Sequence, residues 1–125
     1  MKTAILSDIH GNREALSVIL DSVKKNGAES MIILGDIIDY GPHSDEVIEM
    51  IKEFPLPLVC NIWGNHESAV MNEEYERFSS ERGRESALFT RNNLSEKSFS
   101  YIKNEMTNDG IYEFSLGNLK CLAVH

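Results

Sequence analysis

The chain has 125 residues, enough for one domain with one core, and its 42% hydrophobic and 26% charged residues describe a globular protein. Twenty acidic against twelve basic residues leave a net charge of −8, which argues against nucleic acid or an anionic membrane as the main partner and suits a site that holds cations. No stretch approaches the length of a membrane span, and the apolar run Ala4-Ile5-Leu6 breaks at Ser7-Asp8, far short of an export signal, so a cytoplasmic location is expected.

In chain order, TAILS (3–7) predicts a buried strand. Asn12 can then cap a helix whose inner face is Ala15, Leu16, Ile19, Leu20 and Val23, and Gly27 ends it. MIIL (31–34) predicts a second buried strand. Gly41-Pro42 marks a turn, Val47, Ile48 and Ile51 mark a second helix, and Pro55 and Pro57 break it. LVCNIW (58–63) predicts the third strand, completing a parallel βαβαβ unit with right-handed crossovers. The polar stretch from Ser68 to Arg84 is expected as a loop or irregular helix over one end of the sheet. Helical spacing returns over 85–93, and Ser95 can cap a further helix carrying Phe99, Ile102 and Met106. IYEFS (111–115) and LKCLAV (119–124) flank Gly117-Asn118, a two-residue hairpin turn. Cys60 and Cys121 sit among apolar strand residues and are expected as buried free thiols in a reducing compartment.

Each of the three parallel strands ends in a ligand-rich turn: SDIHGN, LGDIIDYGP and WGNHE. In an open α/β sheet, ligands gather at the carboxyl ends of the strands, so Asp8, His10, Asp36, Asp39, Asn65 and His66 should meet at one edge. Asp8 and His10 alternate along the chain, and a small loop distortion turns both to one cation. Asp36 offers a carboxylate that can bridge two cations, and Asn65 a neutral carbonyl oxygen. Mixed oxygen and imidazole donors suit Mn, Fe or Zn better than Ca or copper. Taken singly, each residue also reads as a turn former, a helix cap or a solvated histidine. Three such turns in succession favour the cation site. His66 falls outside the apolar core pattern and is expected to serve chemistry and not folding.

The set D-x-H, G-D-x-x-D and G-N-H-E resembles the calcineurin-like metallophosphoesterase superfamily over essentially the whole chain. DYGPHSDEVIEMI and FTRNNLSEKSFSYIKNE resemble its compact prokaryotic branch. The resemblance implies an α/β/β/α sandwich, of which this chain is the N-terminal part: the parallel βαβαβ start, then helices and a β-hairpin. It implies two divalent metal ions (Mn, Fe, Zn or Ni). Asp8 and His10 would hold the first, Asn65 and His125 the second, with Asp36 bridging. His66 would protonate the leaving group or stabilise its charge, oriented by Asp39. The implied activity is hydrolysis of a small phosphoester substrate by water activated between the two metals.

Three departures narrow this expectation. Tyr40 and Trp63 stand where protein phosphatases and dinucleoside polyphosphatases carry arginines, which favours phosphodiesters; either ring is an ordinary packing or turn residue or a stacking surface for an organic group. The superfamily's later G-H-x-H motif is absent; His43, in GPHSD, lies outside that context and reads as a solvated turn residue. His125, which resembles the histidine of the family's V-H-G motif, is the last residue. The expectation is therefore a C-terminally truncated domain over 1–125 with weaker metal retention, low hydrolysis and an exposed sheet edge open to self-association. The alternatives are a non-catalytic metal- or phosphate-binding remnant, and a protein phosphatase-like or dinucleoside polyphosphate hydrolase.

Overall fold

The computed structural model describes all residues from Met1 to His125. Three strands, β1 (Thr3–Leu6), β2 (Ser30–Ile33) and β3 (Leu58–Asn61), form a parallel sheet in the order β1-β2-β3. Helix α1 (Arg13–Lys25) connects the first pair and α2 (Ser44–Glu53) the second. Then come α3 (Asn65–Asn72), a short 3₁₀ turn (Tyr75–Arg77), α4 (Glu81–Asn93) and α5 (Glu96–Asn104). The antiparallel hairpin β4 (Ile111–Leu116) and β5 (Leu119–Val124) closes the chain.

Local chemistry explains the boundaries. The Asn12 side chain accepts the Ala15 N–H at 3.0 Å, Glu14 lies in the first turn of α1, and Lys24 and Lys25 lie in its last, each favourable to the helix dipole. Gly27, at φ +66°, takes the chain out of the helix. Ser80 and Ser95 cap α4 and α5 by accepting from Gly83 N–H (3.1 Å) and Ser98 N–H (3.2 Å). Gly117 adopts φ +56° between β4 and β5, the left-handed geometry that a tight hairpin needs.

Strand β2 is buried along its whole length because both its faces are covered. Met31 and Ile33 face the main core with Leu16, Leu20, Val23, Val47, Ile48 and Ile51 from α1 and α2. Ile32 faces the other way, into a smaller cluster with Cys60, Ile62 and Ala123, against which Phe114 and Leu116 of the hairpin pack. Helices thus cover one face of the sheet and the hairpin part of the other.

Several details differ from the sequence reading. Strand β1 lies at the sheet edge away from β3, and Ile5, in register with Ile32, is 63% exposed and outside the cluster that the hairpin covers. The inner face of α1 is narrower than its apolar spacing suggests: Leu16, Leu20 and Val23 are buried, while Ala15 and Ile19 are exposed. Residues 65–67 of the WGNHE turn already belong to α3, and α4 starts at Glu81, four residues before its apolar pattern does. Cys60 is a buried free thiol, but Cys121 is only partly buried. Leu119, Leu122 and Val124 expose apolar surface on the hairpin. No helix is long and apolar enough to cross a membrane.

Ile33→Ala should lower the unfolding free energy by about 2–5 kcal/mol, since it empties a fully buried position. Ile19→Ala, at 44% exposure, should change it by less than about 0.5 kcal/mol. Urea denaturation of the two variants measures both.

Candidate metal centre

The three strand-end turns fold onto one another at the carboxyl edge of the sheet. Backbone bonds tie the first to the second: Asp8 N–H to Gly35 C=O (3.1 Å), His10 N–H to Asp36 C=O (2.9 Å) and Gly11 N–H to Ile37 C=O (2.9 Å). The third joins through side chains, His66 N–H donating to Asp36 Oδ1 at 2.9 Å. The distortion needed to aim the side chains inward is concentrated here. Asp8, His10, Asp36, Asp39 and Tyr40 all have left-handed φ, between 49° and 70°. Such conformations are uncommon for non-glycine residues, though Asp and His tolerate them best. Gly64 permits the closest approach, since a Cβ there would overlap the Asp36 carboxylate.

Asp36 is the common member of the cluster. Its Oδ2 lies 3.8 Å from His10 Nε2 and 3.3 Å from His125 Nε2. Asp8 Oδ1 lies 3.6 Å from His10 Nε2, and Asn65 Oδ1 lies 3.0 Å from His125 Nε2. Both histidines commit the other ring nitrogen to the backbone: His10 Nδ1–H donates to Ile38 C=O at 3.2 Å, and His125 Nδ1–H to Leu34 C=O. In the neutral ring, the Nε2 lone pairs then face carboxylate and amide oxygens. Electron-rich atoms crowded together in this way repel unless a cation lies among them. Asp8, His10, Asp36, Asn65 and His125 therefore fit divalent cations by donor chemistry and by tautomer. The grouping is less tidy than the resemblance implies. Donor atoms of Asp8, Asp36 and His125 lie within 4.8 Å of one another, and so do those of His10, Asp36 and His66.

His66 and Asp39 form a buried pair, Nδ1–H donating to Oδ2 at 2.8 Å. His66, expected outside the apolar core, is 4% exposed and partners a fully buried carboxylate. Removing the ring would leave that carboxylate without its buried partner. The rest of the Asp39 carboxylate is satisfied as well. Oδ1 accepts from Ser86 Oγ (2.7 Å), Thr90 Oγ1 (2.8 Å) and Tyr40 N–H (2.8 Å). Burial alone raises the Asp39 pKa, but hydrogen bonds from His66, Ser86, Tyr40 and Thr90 outweigh it and hold the group below its ordinary value. Burial likewise lowers the His66 pKa, and the Asp39 bond with the charges of Asp36, Asp39 and Glu67 overcomes it, so the ring is more basic than usual.

Sequence reasoning missed three residues. The Glu67 carboxylate is completely buried and accepts from the N–H groups of Asp36 (2.8 Å), Ile37 (2.7 Å), Ile38 (3.3 Å) and Gly64 (2.8 Å). Burial and then the Asp36 charge push its pKa up, while these amides favour the ionised form. Its signal was present: an acidic residue three positions after Gly64, where a helix N-terminus takes one. Ser86 and Thr90 are spaced four apart on α4 and gave no signal. Of the two aromatic residues at the expected arginine positions, Trp63 is buried, with its indole N–H donating to Ile102 C=O at 2.9 Å. Tyr40 is exposed and lies edge-on to His66, ring centroids 4.5 Å apart. His43 precedes α2 and lies 3.5 Å from Glu46, away from the cluster.

Thr90→Val removes a hydroxyl donor from a buried carboxylate and should cost about 1–3 kcal/mol, most of it restored in Thr90→Ser. In an Asp39→Asn background the same change should cost much less, and a double-mutant cycle of unfolding free energies reads the difference.

The sequence profile of the calcineurin-like phosphoesterases matches residues 1–123. An uncharacterized protein of Methanocaldococcus jannaschii is 31% identical over 100 residues, covering 79% of this chain and 40% of that protein. The phosphodiesterase YfcE of Escherichia coli is 39% identical over 44 residues, covering 35% of this chain and 24% of that protein. A metallophosphoesterase from Sphaerobacter thermophilus superposes with a TM-score of 0.68 at 26% identity, covering 96% of this chain and 45% of its own. The chain spans less than half the length of each of these proteins. With the profile running across all three strand-end turns and the fold shared almost throughout, the chain belongs to the calcineurin-like phosphoesterase family.

Proposed function

We propose that this chain carries the site of a metal-dependent phosphoesterase that cleaves phosphodiesters or small organic phosphates. One observation carries the reading: a carboxylate shared between two sets of cation donors lies beside a buried His66–Asp39 pair. Holding a cation or an anion needs no proton carrier, so the pair speaks against a binding module. The family membership and the similarity to a protein named phosphodiesterase support the same reading.

Two divalent cations, when bound, supply a water of lowered pKa and positive charge for the phosphoryl oxygens. The residues of the chain do the rest. Asp8, His10, Asp36, Asn65 and His125 hold the cations. Asp39 fixes His66 through Nδ1, which leaves Nε2 to carry the proton. As water oxygen bonds to phosphorus and the ester P–O bond breaks, His66 gives that proton to the departing oxygen. Tyr40, exposed beside His66, offers a ring face to the organic half of the substrate.

In a Mn-loaded form of the protein with measurable turnover, His66→Asn should slow hydrolysis of an alkyl phosphodiester by about 10²–10⁴-fold. A nitrophenyl diester, whose leaving group needs little protonation, should lose far less. The ratio of the two rates is independent of how much protein is folded, and an unchanged ratio would sink the acid role of His66.

A further inference from the structure

Helix α4 brings no donor to the cation cluster, yet two of its hydroxyls meet the carboxylate that holds His66. Ser86 Oγ and Thr90 Oγ1 donate to Asp39 Oδ1 at 2.7 and 2.8 Å. We propose that Ser86 and Thr90 are positioning residues. They pin one oxygen of Asp39, so that the other holds the His66 imidazole in the single orientation from which Nε2 delivers its proton to the departing oxygen. The inference rests on the phosphoesterase reading above and adds α4 to the machinery of the same site.

The division of labour at Asp39 is the first ground. Its carboxylate is fully buried. The terminal torsion of an Asp side chain is broad and roughly two-fold, so a carboxylate bound only by a histidine can swing and exchange its oxygens. Here Oδ1 accepts from both hydroxyls and from the Tyr40 N–H at 2.8 Å, which leaves Oδ2 alone for His66 Nδ1–H, also at 2.8 Å. The Asp39 N–H donates to Ser44 Oγ at 3.2 Å, so the backbone behind the carboxylate is held as well. Fixing the bond at Nδ1 fixes the tautomer and the direction of Nε2.

The second ground is the attachment of α4 to the helix that carries His66. Arg91, next after Thr90, donates from Nη1 to the carbonyls of Val70 (2.7 Å) and Met71 (2.8 Å) in α3. Gly83 brings the start of α4 against Phe78, where a Cβ would lie 3.1 Å from the Phe78 Cβ. The Phe78 ring in turn lies 4.8 Å from the His66 ring, centroid to centroid. Ser86 and Thr90 stand one turn apart on α4, and residues so spaced share a face. That face is therefore set relative to α3 before it meets Asp39. Ala87, fully buried, supplies apolar contact, whereas the two hydroxyls commit their protons to one carboxylate oxygen.

Two readouts test this in Ser86→Ala, Thr90→Val and the double variant. The first is NMR of the 125-residue chain with isotope-labelled histidine, in Zn²⁺ so that the cation is diamagnetic. The His66 Nδ1 proton is the resonance missing from His66→Asn. Its exchange with solvent should speed up by about 10- to 100-fold in the double variant, the worth of one or two hydrogen bonds to a charged group, and by less than about threefold in Thr90→Ser. The backbone amides of β2 report global opening in the same samples. A rise no larger than theirs reads as lost stability alone and overturns the inference. The second readout, in a form of the protein with measurable turnover, is the ratio of alkyl to nitrophenyl diester hydrolysis. The double variant should lower that ratio by about 10- to 100-fold through kcat, with KM little changed, and Thr90→Ser should keep it. In a His66→Asn background the same substitutions should leave the ratio where it is. A ratio that moves in His66→Asn but not in the double variant overturns the positioning role and leaves the phosphoesterase reading standing. A ratio unmoved in both removes the acid role and this inference with it. Should the double variant not fold, Ser86→Ala alone, at a half-buried position, decides by the same two readouts.

Discussion

One buried carboxylate holds the site in shape. Glu67 reaches back from the first turn of α3 and accepts amide N–H groups from the turn after β2 and the turn after β3. Two segments some thirty residues apart are thereby fixed against one carboxylate. Without it, four buried donors would lack a partner, each at a cost of about 1–3 kcal/mol. The Asp36 backbone and the start of α3 would also lose their common reference. Because Gly64 is pressed against the Asp36 carboxylate, the two turns have no slack to settle differently. The positions of Asp36, Asn65 and His66 all follow from this clamp.

The clamp also sets up the electrostatics. Together with the backbone bonds that tie the first turn to the second, it gathers four carboxylates, those of Asp8, Asp36, Asp39 and Glu67, at one end of the sheet, with left-handed backbone at Asp8, His10, Asp36 and Asp39. Conformations of this kind cost about 1–3 kcal/mol each and persist only where the surroundings enforce them. Asp39 and Glu67 have their charge satisfied inside the protein, by hydroxyls, amides and His66. Asp8 and Asp36 instead face histidine nitrogens whose protons are turned away toward carbonyl groups. Negative charge is thus neutralised internally around the His66–Asp39 pair and left without an internal counter-charge at Asp8 and Asp36, which is the division the proposed function uses.

Much of this was legible in the sequence, for identifiable reasons. Apolar runs bounded by turn residues gave the three strands and the hairpin, because β2 and β3 lie under covered faces. Asp8, His10, Asp36, Asn65 and His125 were legible because each is a potential donor placed just after a strand. The start of α3 was not, since its first residues are polar and His66 and Glu67 point inward to Asp39 and the Asp36 backbone, which hides the usual apolar stripe. The exposure of Ile5 depends on β1 being the sheet edge, and that of Ile19 on how far the core extends. Neither strand order nor core extent is encoded locally. Ser86 and Thr90 were invisible because a hydroxyl on a polar helix looks the same whether it meets water or a buried carboxylate.

Asp36 as the ligand shared by two cations is the central claim, and electron paramagnetic resonance during a Mn²⁺ titration tests it most directly. Cations sharing a carboxylate in such sites lie about 3.5–4 Å apart, close enough for their spins to couple. The wild-type chain should develop a spin-coupled signal at two Mn²⁺ per chain, and Asp36→Asn should abolish the coupling. A single uncoupled Mn²⁺, or a coupled pair that survives the loss of Asp36, would contradict it.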